Sequence, residues 1–120
     1  MFAIAVPLIS NKVEAWKTWI RECMGPRKEE FEEFNERMEL TLHRAWLTQS
    51  PQGPLAIVVV DGPGANSFLQ KLARSKEPFD RWFRERISEY HGVDFSKPDV
   101  VQPSQMLMDY RARTYAEVSE

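Results

Sequence analysis

Between Leu40 and Asp61 the chain reads LTLHRAWLTQSPQGPLAIVVVD. Two apolar runs, Leu40–Gln49 and Leu55–Asp61, flank Ser50-Pro51-Gln52-Gly53, which has turn composition. The stretch predicts a hairpin closed by a four-residue loop. That register sets Trp46 opposite Ile57 and Arg44 opposite Val59, with Arg44 diagonal to Asp61 on the same face. The other face carries His43, Ala45 and Leu47 against Val60, Val58 and Ala56. A slip of one residue would exchange the two faces, so the register decides where every candidate side chain points.

Upstream, Phe2–Ile9 is apolar at almost every position and reads as a strand buried on both faces. Pro7 has no N–H to donate, so pairing is expected to fail near it. A helix follows over about Lys12–Met24, with Val13, Trp16, Ile20 and Met24 as one stripe and Trp19 at its margin. Gly25-Pro26 interrupts it. A second segment, about Arg27–Met38, carries Phe31, Phe34 and Met38 inward and an acidic outer face. Downstream of the hairpin, helices are expected over about Ala65–Arg74 and Phe79–Tyr90, the latter ended by Gly92 in a left-handed cap. Met106–Ala112 reads as a last strand, with Met106, Met108 and Tyr110 on one side and Leu107, Asp109 and Arg111 on the other. The order strand, helix, strand, strand, helix, strand predicts an α+β class: a ferredoxin-like βαββαβ antiparallel sheet with helices on one face. Residues 1–112 form the domain in this reading, and 113–120 an exposed tail.

The other sheet face then lacks a cover. Near-continuous apolar strands do not leave hundreds of Å² wet, and burial at about 25 cal/mol per Å² is large beside a domain stability of roughly 5–15 kcal/mol. A homodimer through that sheet face is therefore the expected assembly. The 120 residues fit one domain. The net charge of −2 provides no basic patch for nucleic acid. A single cysteine, Cys23, rules out an intrachain disulfide and a multi-thiolate metal site, and places the chain by expectation in the reducing cytoplasm. Phe2–Ile9 is too short to span a bilayer and lacks the pattern of a signal peptide. No phosphate-cradling glycine loop, metal-ligand cluster or nucleophile elbow is present, and no cofactor is expected.

Seven Phe and four Trp are a heavy aromatic load, and each ring can bury roughly 150–250 Å². Trp16, Trp46 and Trp82 are candidates for a ligand wall, with core packing as the plainer reading. His43 sits mid-strand among apolar neighbours, where a titratable ring can act as a base or polarise a ligand; a hydrogen-bonded interior histidine is the plain alternative. His91 ends a helix, where a positive ring would meet the negative helix end. Arg27 and Arg86 project onto apolar stripes and are candidates for an anionic ligand, against ion pairing with stems packed on rings. Cys23, near a helix carboxyl end, is expected to be inert.

The segment Pro78-Phe79-Asp80-Arg81-Trp82-Phe83-Arg84-Glu85-Arg86, followed by His91-Gly92, and the opening strand leading to Gly25-Pro26-Arg27, resemble small bacterial proteins of the dimeric α+β barrel superfamily. The resemblance spans about Phe2–Arg111. It implies a homodimer whose sheets face each other, with a pocket between sheet and helices for a small hydrophobic or aromatic molecule. Relatives of this architecture include antibiotic-biosynthesis monooxygenases and stress-responsive barrel proteins. They imply an alternative: a cofactor-independent monooxygenase or isomerase acting on an aromatic or polyketide-like substrate, with His43 as base. The haem-degrading branch uses an Asn, a Trp and a His. That trio does not map by position, because Asn11 falls at a helix start and His43 and Trp46 point to opposite faces of one strand.

Overall fold

A computed structural model describes residues 1–97 and 99–112. The central strand is β3, Gly53–Asp61, flanked by β1, Phe2–Pro7, and β2, Leu42–Ser50, in an antiparallel sheet of order β1-β3-β2. Among the described residues four helices complete the fold: α1 Val13–Met24, α2 Lys28–Arg37, α3 Phe68–Arg74 and α4 Pro78–His91. Short 3-10 turns, Ser10–Lys12 and Ala65–Ser67, lead into α1 and α3. The chain is α+β.

The hairpin register is the expected one: Trp46 faces Ile57, Arg44 faces Val59 and His43 faces Val60. The loop is tighter than four residues. Ser50 pairs with Gly53, because Gly53 takes a φ of 118° that only glycine adopts without strain. The Ser50 hydroxyl fastens this turn, donating to the Gly53 carbonyl at 2.8 Å and accepting from the Gln52 N–H at 3.2 Å. Pairing also persists as far as Pro7, opposite Leu55. Pro7 lies at the end of an edge strand, where its missing N–H leaves no ladder bond unmade.

Alternation along the strands sorts the two faces. Ile4, Val6, Ala56 and Val60 are buried beneath the helices. Ala5, Arg44 and Trp46, on the opposite face, are exposed, and Ile57 and Val59 are half-buried there. The helix layer is an aromatic cluster around Phe34, which is 0% exposed. Its ring stacks on Phe83 at 4.5 Å and meets Phe79 at 5.6 Å and Phe68 at 6.1 Å. In α1 the buried side is Trp16, Trp19 and Cys23, with Met24 exposed. The stripe is thus rotated toward Trp19 relative to the expected one, since Trp19 packs on Phe83 at 4.8 Å and near Tyr90 at 5.9 Å. Gly92 ends α4 at φ 67°, its N–H bonded to the Ser88 carbonyl at 2.9 Å, as expected of a left-handed cap.

Among the described residues one charged side chain is fully buried. Asp80, in the first turn of α4, is 0% exposed. It accepts hydrogen bonds from the Arg37 guanidinium, through both Nε and Nη2, and from the Ser75 hydroxyl at 2.6 Å. This ties α2 to the α3–α4 connection. Arg84 reinforces the same connection, donating from Nη1 to the carbonyls of Leu72 at 2.6 Å and Ser75 at 3.0 Å.

Met106–Ala112, expected as a fourth strand, has no ladder partner among the described residues. The Ser104 N–H donates to the Ala3 carbonyl at 2.7 Å, and residues 105–112 show no strand pairing there. Leu107, Met108 and Tyr110 are 85%, 86% and 83% exposed. A strand is a property of a pair, and alternation alone supplies only one member of it. The tail expected at 113–120 lies outside the described residues.

Candidate functional site

The helix layer does not close completely onto the sheet. A cavity of about 370 Å³ lies between α1, α4 and the inner sheet face, lined by Ile4, Val6, His43, Ala45 and Val58 from the strands. Trp16, Trp19, Ile20 and Cys23 of α1 and Phe83 and Ile87 of α4 form the opposite wall. Exposed lining residues, Met24, Arg44, Ala45 and Trp46, set the mouth along the free edge of β2. Its size falls within the range of small-molecule pockets, about 300–1,000 Å³.

His43 is the polar group of the inner sheet wall, and its tautomer is set by a relay from α2. The Asn35 Nδ2 donates to the Phe31 carbonyl at 2.9 Å. That fixes the amide so that Oδ1 faces the ring, 2.9 Å from His43 Nδ1. An amide oxygen only accepts, so Nδ1 carries the proton and Nε2 keeps its lone pair. Phe31 and Phe68 pack on the ring at 5.4 and 5.5 Å. Burial among these rings disfavours the cation and pulls the His43 pKa down to about 4.

The sign of the resulting pH dependence follows directly. An unfolded histidine takes up its proton near pH 6.5, whereas folded His43 does so near 4. Between these values the unfolded chain binds the extra proton. Stability present in full above pH 6.5 is therefore lost as pH falls toward 4, by on the order of 3 kcal/mol. Urea unfolding followed from pH 7 to pH 4.5 should show this loss, and His43→Gln should flatten the profile. An equally steep profile in that variant contradicts the assignment.

The other titratable groups of the cavity interior are also uncharged, and the charged lining residue, Arg44, stands at the mouth. Burial lowers the His91 pKa, and its Nδ1–H donates to the Pro7 carbonyl at 2.8 Å. His91 therefore ties α4 to β1 as a neutral ring, instead of meeting the helix end as a cation. Cys23 has its thiol pushed up to about 12 by burial, with the Glu22 charge adding to it, so it is inert as expected. The Trp19 indole Nε1–H is buried with no hydrogen-bond partner among the described residues.

Of the residues singled out from the sequence, His43 and Trp16 meet at the cavity, and Trp46 stands at its mouth on the far face of β2. Arg27, Trp82 and Arg86 lie elsewhere. The Arg27 guanidinium sits 4.0 Å over the Trp82 ring and 5.3 Å from Phe79. It bonds Glu30 through Nε at 3.0 Å and Nη2 at 3.2 Å. Arg86 Nη1 is 3.5 Å from Glu89, and its Nε is buried without a partner among the described residues. Arg44 and Asp61 do not pair: Asp61 takes the terminal ammonium of Met1 at 3.1 Å. Sequence reasoning missed Asn35, whose only sequence signal is its place one turn after Phe31 in an otherwise charged helix.

Among the described residues no group of three His, Cys, Asp or Glu side chains is placed to hold a metal ion. No helix there is long and apolar enough to cross a membrane. Comparison with protein families, with curated proteins and with solved structures finds no match to this chain.

Proposed function

We propose that the protein binds a small, largely apolar organic molecule in the cavity between sheet and helices, and that the ligand carries one group able to donate a hydrogen bond. The observation that carries this is the Asn35–His43 relay, which leaves His43 Nε2 as an acceptor in an apolar wall. A phenol or enol supplies the matching donor. The volume is more than twice the roughly 150 Å³ that accommodates benzene, which suits a compound of two fused rings.

Thermal shift with 2-naphthol and with naphthalene tests the reading. Both should raise the melting temperature, and 2-naphthol more, as binding to the folded state requires. Val58→Trp fills the cavity and should abolish both shifts. His43→Phe removes one neutral hydrogen bond, about 0.5–1.5 kcal/mol, and should weaken 2-naphthol up to about tenfold while sparing naphthalene. No shift with either compound would return the cavity to a mere packing defect and the protein to a structural module.

A second reading, a cofactor-independent monooxygenase or isomerase with His43 as general base, is favoured by the fixed tautomer, which presents a free ring nitrogen. It is weakened by magnitude. A base with a pKa of about 4 is some three units below the value that best serves general-base chemistry near pH 7. Oxygen consumption with quinol substrates, absent in His43→Ala, would reinstate it.

We also propose that two copies associate through the sheet face bearing Ala5, Trp46, Ile57 and Val59. Contiguous apolar surface on that face supports it. Light scattering at micromolar concentration should give twice the 14.0 kDa chain mass.

A further inference from the structure

Each copy carries both an unpaired strand edge and an unpaired strand-like segment. The edge is β2, nine residues long and open along its outer side among the described residues, where it borders the cavity mouth. Long, unpaired edges are templates for another chain. The segment is Met106–Arg111, which leaves the domain after Ser104 and exposes its apolar side chains almost completely.

We infer that the two are partners in trans: the Met106–Arg111 arm of one copy adds antiparallel to β2 of a second copy. This rests on the dimer proposed above and adds the element that joins its halves. One register satisfies the chemistry of both strands. With Asp109 opposite Arg44 of the second copy, Leu107 falls opposite Trp46 and Met108 opposite Ala45. Arg44 and Asp109 are both exposed, and neither has an ion-pair partner among the described residues. They meet on the outer face, where opposite charges on facing strands attract. On the inner face, Met106, Met108 and Tyr110 come against Leu47, Ala45 and His43. The inner set is the one that borders the cavity, so the arm of the second copy roofs its mouth. A slip of one residue would set Asp109 against Ala45 or His43, burying its charge at the apolar mouth, and would move Met108 to the outer face. Neither strand tolerates the other register equally well.

The alternative, an arm paired in cis along β1, is an outcome of the same test. Arg44→Asp and Asp109→Arg each place like charges opposite one another in both arms of a homodimer. When the two variants are mixed, both pairs of the heterodimer are again complementary. Native mass spectrometry should therefore show heterodimers well above the half expected from random exchange. Single-cysteine variants Arg44→Cys and Asp109→Cys, each combined with Cys23→Ser, should on mixing and oxidation give a disulfide-linked pair of chains. Random 1:2:1 exchange together with no cross-link, from a protein that scatters as a dimer, overturns arm exchange and leaves the dimer standing. A protein that scatters as a single chain at micromolar concentration overturns both.

Discussion

Phe34→Ala is expected to destabilise the domain by about 3–5 kcal/mol, the usual cost of deleting a fully buried phenyl ring. Phe34 is 0% exposed and its ring lies within 6.4 Å of Phe31, His43, Phe68, Phe79 and Phe83. It is therefore the point at which α2, α3, α4 and β2 share one packing unit. Two terms add: the lost transfer of the ring from water, and the void its five neighbours are too constrained to fill. Against a typical stability of roughly 5–15 kcal/mol, such a loss would leave a marginal fold. Urea unfolding with the slope held in common measures it. Phe34→Leu keeps most of the volume and should cost less than half as much. A loss below 1 kcal/mol for the alanine variant would mean that the cluster repacks, and that its rings do not form one rigid unit.

Asp80→Ala is expected to be comparably severe, again about 3–5 kcal/mol, by a different route. Its carboxylate is sealed from water and answers two partners, Arg37 and Ser75. Removing it leaves the Arg37 guanidinium and the Ser75 hydroxyl without their acceptor, and a hollow at a fully buried position. Removing both charges is a different matter. Arg37→Met with Asp80→Leu replaces a desolvated pair with packing, and should recover most of the loss, as buried pairs often do. The double-mutant cycle would then give a coupling far above that of the exposed Lys28–Glu32 pair, for which exposed helix pairs suggest a few tenths of a kcal/mol. Equal losses in the single and double variants would show that the site matters through its shape and not its charge.

Much of the sheet was legible because alternation is a strong signal when one face is buried. His43, Ala45 and Leu47 are set against Val60, Val58 and Ala56 by pattern alone, and the register agrees. The helices were legible from their stripes, although Trp16, Ile20 and Trp19 all fit a 3.6-residue period, and only the position of Phe83 decides which of them turns inward. Of the candidates named from the sequence, His43 and Trp16 line the cavity, but their surroundings were not legible. Asn35 lies eight residues from His43 on another element, and nothing in a run of glutamates marks it as the group that sets a histidine's tautomer. Asp80 read as a helix-start carboxylate, which it is; that the same side chain is sealed beneath Arg37 depends on where α2 crosses α4. The last strand failed for the reason that separates strands from helices: its hydrogen bonds lie outside its own segment.

The cavity interior holds two imidazoles and a thiol, all of them electrically neutral at pH 7. Apart from Arg44 at its mouth, such a chamber offers no counterion to an anionic guest. A weakly acidic visitor would therefore enter in its protonated form and hold that proton more firmly inside than in water. Under the proposed binding, selection at this site would be by proton inventory as much as by outline: of two compounds with the same rings, the weaker acid would be retained and the stronger one left in solution.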